Sequence, residues 1–297
     1  MNWLTISITG YLLNAISLTI NKSLLGKDIP SPNLMAILIG FFGMVTIVFI
    51  PFGVKFLPTS ALTVSFIAGG AFTAAIYSLF YALQKGSASN IPALIGGIQP
   101  IILFVIAASF LGEKLSHDQF IGYIFLITGG LIIALSSRYS GKILLMAFLS
   151  SIFFAISNAA TKWVFDASDF ISGFFWIRVG AFIAGLLMLT NVASRNELKK
   201  LFSRKNKIQN KRAASGFLSA QVTGGVGVIL INYAFSIGSV TLTNAMQGIQ
   251  YVFLFLIILS LGIFYPKFIK ENLSKKVLVI NLAAIIAISI GLYFIAF

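Results

Sequence analysis

Cysteine is absent from this 297-residue chain, histidine occurs once, and only seven side chains are acidic. Without cysteine there is neither a disulfide framework nor a thiolate metal site. The acids (Asp28, Glu113, Asp118, Asp166, Asp169, Glu197 and Glu271) and the lone His117 all fall between hydrophobic runs. They show no metal-ligand spacing and no carboxylate pair suited to acid–base catalysis. Neither a metal nor a cofactor is expected, and an enzyme is the disfavoured class. Charged residues are 9% of the chain against 58% hydrophobic, with 29 Phe. A soluble domain of this size could not hide so much apolar surface, whereas a bilayer removes the need to hide it.

What fills the chain is apolar runs long enough to cross the hydrocarbon, which takes roughly 20 residues per helix. Ten are expected, at 3–20, 34–52, 59–83, 90–111, 119–136, 143–161, 170–190, 213–237, 241–264 and 277–297. Spanning backbone must be bonded internally, as helices or a closed barrel. The runs do not alternate as barrel strands would. The expected fold is therefore an all-α polytopic membrane protein, in the cytoplasmic membrane. The first run lacks a basic lead and a small-residue cleavage site, so it is expected to remain as a helix.

The net charge of +14 would suit nucleic acid in a soluble protein. Here the lysines outside the runs orient the chain and meet anionic lipid, and no nucleic-acid partner is expected. Lys22, Lys27, Lys85, Arg138, Lys142, eight cations between Arg195 and Arg212, and the Lys267–Lys276 group lie after odd-numbered runs. Only Lys55, Lys114 and Lys162 lie on the other side. Positive-inside counting thus places both termini outside.

Four short matches recur in order. Ala15-Ile16-Ser17 with Lys22 returns as Ala155-Ile156-Ser157 with Lys162, an offset of 140. Tyr81-Ala82 and Gly86-Ser87 return as Tyr233-Ala234 and Gly238-Ser239, an offset of 152. Gly97-Ile98-Gln99 returns as Gly248-Ile249-Gln250, and Glu113-x-Leu115-Ser116 as Glu271-x-Leu273-Ser274. The offset grows only where the second copy carries extra loop, which is the mark of an internal duplication. The two units are 1–138 and 139–297, with the basic loop 191–212 between the second and third helices of the latter. Five runs per unit is an odd number, so the second unit enters the membrane from the opposite side. Ten helices as two inverted five-helix repeats is a secondary-transporter architecture, with its site near the midplane.

These features resemble the EamA family of the drug/metabolite transporter superfamily. Beyond the five-plus-five layout, the resemblance rests on Leu111-Gly112-Glu113-Lys114-Leu115-Ser116, Gly122, Gly129-Gly130 and Arg178-Val179-Gly180. It implies a metabolite carrier and, in contrast to the charge count, termini inside. Small multidrug antiporters of that superfamily depend on a first-helix glutamate, which the first run here lacks. Proton-coupled pumps rely on intramembrane carboxylates or histidine, so weak or absent proton coupling is expected.

Candidate site residues are the polar side chains inside the runs. Asn14, Ser17 and Asn21 form a helical stripe on the first; Asn158 and Thr161 lie at the same place in the second unit. Asn244, Gln247, Gln250 and Tyr251 share a broad face of the ninth. Gln99 precedes Pro100, where the missing amide invites a kink. Tyr77, Tyr81, Asn232 and Tyr233 are further candidates. The competing reading is that such amides are interhelical glue worth about 0.6–2 kcal/mol each. Arg178, the one charge inside the runs, costs about 2.5–3.5 kcal/mol to bury at mid-membrane. It either attracts a substrate anion or bonds backbone structurally. Lys22 and Lys162 are gates at two mouths or snorkelling anchors. Ser116-x-x-Gln119 reads as a capping box. The expected partners are a small polar or amphipathic substrate and the bilayer, the chain being a monomer or homodimer. A lipid-carrier flippase or a non-transport scaffold is the alternative.

Overall fold

A computed structural model describes residues 3–25, 31–86, 90–134, 139–201, 207–264 and 275–296, and among them the chain is helical with no strand. The helices are α1 (Trp3–Leu24), α2 (Pro32–Phe42), α3 (Thr59–Lys85), α4 (Asn90–Phe110), α5 (His117–Ala134) and α6 (Gly141–Ala167). They continue with α7 (Phe170–Met188), α8 (Val192–Leu201), α9 (Lys207–Ile237), α10 (Val240–Ala245), α11 (Gln247–Phe264) and α12 (Lys275–Ala296). By length and composition, nine stretches among the described residues can cross a membrane, and a tenth apolar helical stretch is Leu282–Ala296. This is a multi-pass α-helical membrane protein.

Three of the expected segments differ in their interior rather than in their bounds. The second span is α2 followed by a 3₁₀ segment, Gly43–Phe52, which ends at Gly53 with φ of 94°. The ninth span is broken: α10 stops at Ala245, Met246 turns, and α11 begins at Gln247. The basic loop after α7 contains α8, a short polar helix with too little apolar length to span. It docks on the start of α2, where Asn33 Nδ2 donates to Ser194 Oγ at 2.6 Å and Ser31 bonds the Glu197 carboxylate.

Helix starts follow local chemistry. Ser140, Asp169 and Ser239 accept from backbone N–H groups two or three positions into α6, α7 and α10, satisfying donors that a helix start leaves unpaired. Ser116 and Gln119 exchange backbone-to-side-chain bonds at 3.0 and 3.3 Å ahead of α5, a capping box. Glu113, in the same linker, accepts from the Thr241 hydroxyl and amide at the start of α10.

Packing pairs the spans across the two halves. The most extensive interfaces are α1 with α9, α3 with α6, and α5 with α12. Ser17 donates to the Ala220 carbonyl at 2.7 Å, and Ser157 donates to the Ala68 carbonyl at 2.9 Å. These two bonds exchange under the sequence offsets of 140 and 152. Likewise Gly10 meets the Gly227 carbonyl where a Cβ would lie 2.9 Å away, and at the matching place Ser150 bonds the Ala75 carbonyl at 3.0 Å.

Candidate functional site

Between the halves lies a cavity of about 460 Å³, walled by α1, the α2–3₁₀ span, α3, α4, α6, α7, α9 and the α10–α11 pair. The α1 stripe forms one wall because Gly224 and Gly227 of α9 leave no room for side chains: a Cβ on either would sit 2.4 Å from Ser17 Oγ or 2.7 Å from Asn14 Oδ1. A hydrogen-bond relay crosses that wall. Gln221 Nε2 donates to Asn21 Oδ1 at 3.4 Å, Asn21 Nδ2 to Ser17 Oγ at 3.3 Å, and Ser17 to the Ala220 carbonyl. Ser17 and Asn21 thus join helices while lining the space.

The opposite wall carries Asn158 and Thr161 of α6, and Gln99 of α4, which is buried. Asn244, Gln247 and Gln250 approach from the broken ninth span, and Asn232 from α9. Asn232 donates to the Val228 carbonyl one turn back, at 2.8 Å. At the break several polar atoms are buried without partners: Thr243 Oγ1, Asn244 Oδ1, Gln247 Oε1 and the Tyr251 hydroxyl. Buried polar groups are almost always bonded, so this cluster is hydrogen-bonding capacity held next to the cavity.

Arg178 is 8% exposed and lines the same space. Its guanidinium carbon lies 4.6 Å from the Phe72 ring centroid and 4.9 Å from that of Phe174. Its aliphatic stem runs over Gly43, where a Cβ would stand 3.6 Å from Cδ. The two rings supply electron-rich faces in place of a counter-ion, and Nε has no hydrogen-bond partner. No acid among the described residues lines the cavity, and the described ion pair is Lys162 with Asp166, at 2.9 Å. Asp28 and Glu271 lie outside the described residues.

Seven candidates from the sequence, Pro100 among them, do not line this cavity. Tyr233 is 43% exposed and packs edge-on against Phe170. Tyr77 and Tyr81 pair with one another towards the end of α3, where Lys85 and Lys142 approach the Tyr81 ring. Tyr251 is buried against α4, its hydroxyl filling the space left by Gly96. Lys22 donates to the Leu83 and Gly86 carbonyls, the latter at 2.7 Å, and so caps the end of α3. Lys162 pairs with Asp166 one turn along α6. Around Pro100, α4 continues as one helix, and the Pro100 carbonyl accepts from the Tyr123 hydroxyl at 2.6 Å; the interruption falls at Met246 instead.

The sequence reading also passed over Gln221, Thr46, Phe72 and Phe174. Gln221 carried the same signal as the other amides, a polar residue inside an apolar run. Phe174 lies four residues before Arg178 and so shares its helix face. Phe72 gave no signal among 29 phenylalanines.

Residues 1–135 match the family model of the EamA-like transporter family. This part of the chain is EamA-like. No curated protein matches, whereas 28 solved chains do. One, described as "Crystal structure of protein", has a TM-score of 0.65 at 16% identity, covering 97% of this chain and 96% of the other. At that identity the likeness concerns the fold alone. The EamA-like family is one of transporters, and it is residues 1–135 that match it.

Proposed function

We propose that this EamA-like protein is a secondary transporter of the cytoplasmic membrane, moving a small polar or amphipathic metabolite by alternating access between two inverted five-helix units, 1–138 and 139–297. The observation that carries this reading is the cavity between the halves. Its polar lining comes from spans of both units, as a site at a repeat interface requires. The paired Ser17–Ala220 and Ser157–Ala68 bonds support the inverted duplication. Glue alone does not explain amides in the cavity wall whose buried acceptor oxygens have no partner. A carboxylate-free lining among the described residues favours facilitated diffusion or exchange over proton coupling.

A lipid-carrier flippase is the second reading, favoured by one observation. Val45 and Val48 of the 3₁₀ segment and Val222 and Val226 of α9 line the cavity and are also exposed on the surface.

The chain has no native cysteine, so single replacements at Asn14, Gln99, Asn158 and Gln250 can be mapped directly. In oriented vesicles, a membrane-impermeant maleimide is expected to label Asn158→Cys and Gln250→Cys from both faces, and the impermeant reagent to protect against a later permeant one. Sites accessible from neither face would reject the passage.

A further inference from the structure

We infer that the cavity takes an amphipathic organic anion, a carboxylate-type head on an apolar body, and admits it sideways between the 3₁₀ segment and α9. The inference rests on the transporter reading above and specifies its substrate.

The head group follows from Arg178. Among the described residues it is the one cation that lines the cavity, it is buried, and it makes no ion pair or hydrogen bond with them. The Phe72 and Phe174 rings lie beside the guanidinium carbon and accept no conventional hydrogen bond, so the N–H edge of the guanidinium is not spent on protein acceptors. That edge matches the two oxygens of a carboxylate. A guanidinium serving only the fold would be expected to spend its donors on carbonyls, as Lys22 does on Leu83 and Gly86.

The apolar body follows from the other walls. Phe42, Phe49, Phe80, Phe154 and Phe235 line the cavity together with the rings at Arg178. A 3₁₀ helix has three residues per turn and stacks positions i and i+3 in one row. Phe42, Val45 and Val48 form such a row along the cavity.

The sideways access follows from an interface that is missing. α3 packs extensively on α7, but among the described residues no comparable interface joins α9 to the second span. What joins them is the Phe42–Phe217 ring contact at 6.5 Å. Beyond it the cavity-lining valines are about half exposed: Val45 58%, Val48 51%, Val222 53% and Val226 46%. Both edges of this slit lie within membrane spans, so the opening faces the bilayer.

The test uses the purified full chain in detergent with three probes: 4-phenylbutyrate, its isosteric amide, and acetate. Thermal-shift titration is expected to give 4-phenylbutyrate at least tenfold tighter binding than either of the others. Arg178→Gln should remove the advantage over the amide and leave amide binding unchanged. Should that variant fail to fold, Gly43→Asp sets a carboxylate beside the Arg178 stem and should do the same, with Gly43→Ala as a control that retains the preference. Equal binding of acid and amide, or full preference surviving in Arg178→Gln or Gly43→Asp, would overturn the anionic head. Equal binding of acetate and 4-phenylbutyrate would overturn the apolar body. If none of the probes binds while cavity cysteines still label from both faces, the substrate class is wrong and the transporter reading stands. In vesicles, Val48→Cys should react with pyrene maleimide and not with a sulfonated maleimide, and 4-phenylbutyrate should protect it; reaction with the sulfonated reagent alone would place the opening in water and reject the lateral route.

Discussion

Two seams are paired by the sequence offsets of 140 and 152, and they are built differently. On one, α3 lies against α7. Gly69 is so close that a Cβ would come within 2.3 Å of the Ala181 amide nitrogen, and a Cβ on Gly180 within 2.8 Å of Phe66 Cα. The other would join α9 to the second span, and there the helices stand apart. Under the offset of 152, Gly69-Gly70 correspond to Gln221-Val222. Where one helix has small residues that let backbones meet, its counterpart has an amide turned into the cavity and an exposed valine. The difference lies in the sequence, so the open seam is a property of the chain.

Two lysines paired by the offset of 140 differ in the same way. Lys22 and Lys162 match in sequence, as do Leu83 with Phe235 and Gly86 with Gly238. Lys22 crosses to α3 and bonds the Leu83 and Gly86 carbonyls. Lys162 stays on its own helix with Asp166, whose counterpart in the first half is Gly26. Under the alternating-access cycle we propose, these arrangements would exchange, with Lys162 reaching the end of α9 as Lys22 lets go.

The largest effect that would break the comparison of seams is at Gly69. Gly69→Leu must force the α3 and α7 backbones apart and is expected to cost about 3 kcal/mol or prevent folding, since overpacking against backbone cannot relax through a side chain. Gln221→Leu, at the matching place on α9, loses a 3.4 Å bond to Asn21 and should cost about 1 kcal/mol. Thermal unfolding in detergent measures both. Equal losses would mean that the seams are not differently packed.

How much of this was legible beforehand depends on length scale. Runs of about 20 apolar residues with at most one charge admit little besides membrane helices, so the spans were readable to within a few residues, as at α4 and α7. The amide stripe of α1 was readable because a helix puts Asn14, Ser17 and Asn21 on one face whatever it packs against. The tyrosines were not. An aromatic ring with a polar tip suits a cavity, a helix interface or a membrane boundary equally, and only the neighbours of Tyr233 and Tyr251 decide among them. The 3₁₀ turn of Gly43–Phe52 and the break at Met246 were hidden for a related reason. Gly43 stands at the first change, but glycines recur inside these spans without ending them, and Met246 is no breaker, so local preference marks neither point.

The two lysines should sharpen the comparison at the next scale. Lys22→Met leaves the last carbonyls of α3 without their cation, and charge-assisted bonds together with the helix-end field put the loss at about 2 kcal/mol. Lys162→Met breaks a pair between side chains 19% and 52% exposed, for which about 0.5 kcal/mol or less is expected. Chemical denaturation of the two variants under one condition reads the ratio. A larger loss at Lys162 would show that its resting partner lies across the interface, as for Lys22.

The smallest effect concerns a charged cap against an uncharged one. Asp169 accepts from the Ser172 amide at 2.9 Å at the start of α7, and Ser140 does the equivalent for Ile143 in α6. Partial burial pushes the Asp169 carboxyl up, but the Ser172 amide and hydroxyl and the charge of Lys55 outweigh it, leaving it below the ordinary carboxylate value. A group depressed in the folded state adds stability that is complete above the unfolded value of about 3.9 and lost as pH falls through the folded one. Asp169→Asn preserves the cap and removes the charge, so its cost at pH 7 should be about 0.3 kcal/mol, set by the helix dipole and solvent screening. That cost should fade on acidification once Asp169 itself is protonated. Ser140→Ala removes a neutral cap, and its loss should not change with pH over the same range. Unfolding curves of both variants at pH 7 and in the acid limb test this, and an Asp169→Asn deficit that persists unchanged in acid would mean that geometry rather than charge holds the start of α7.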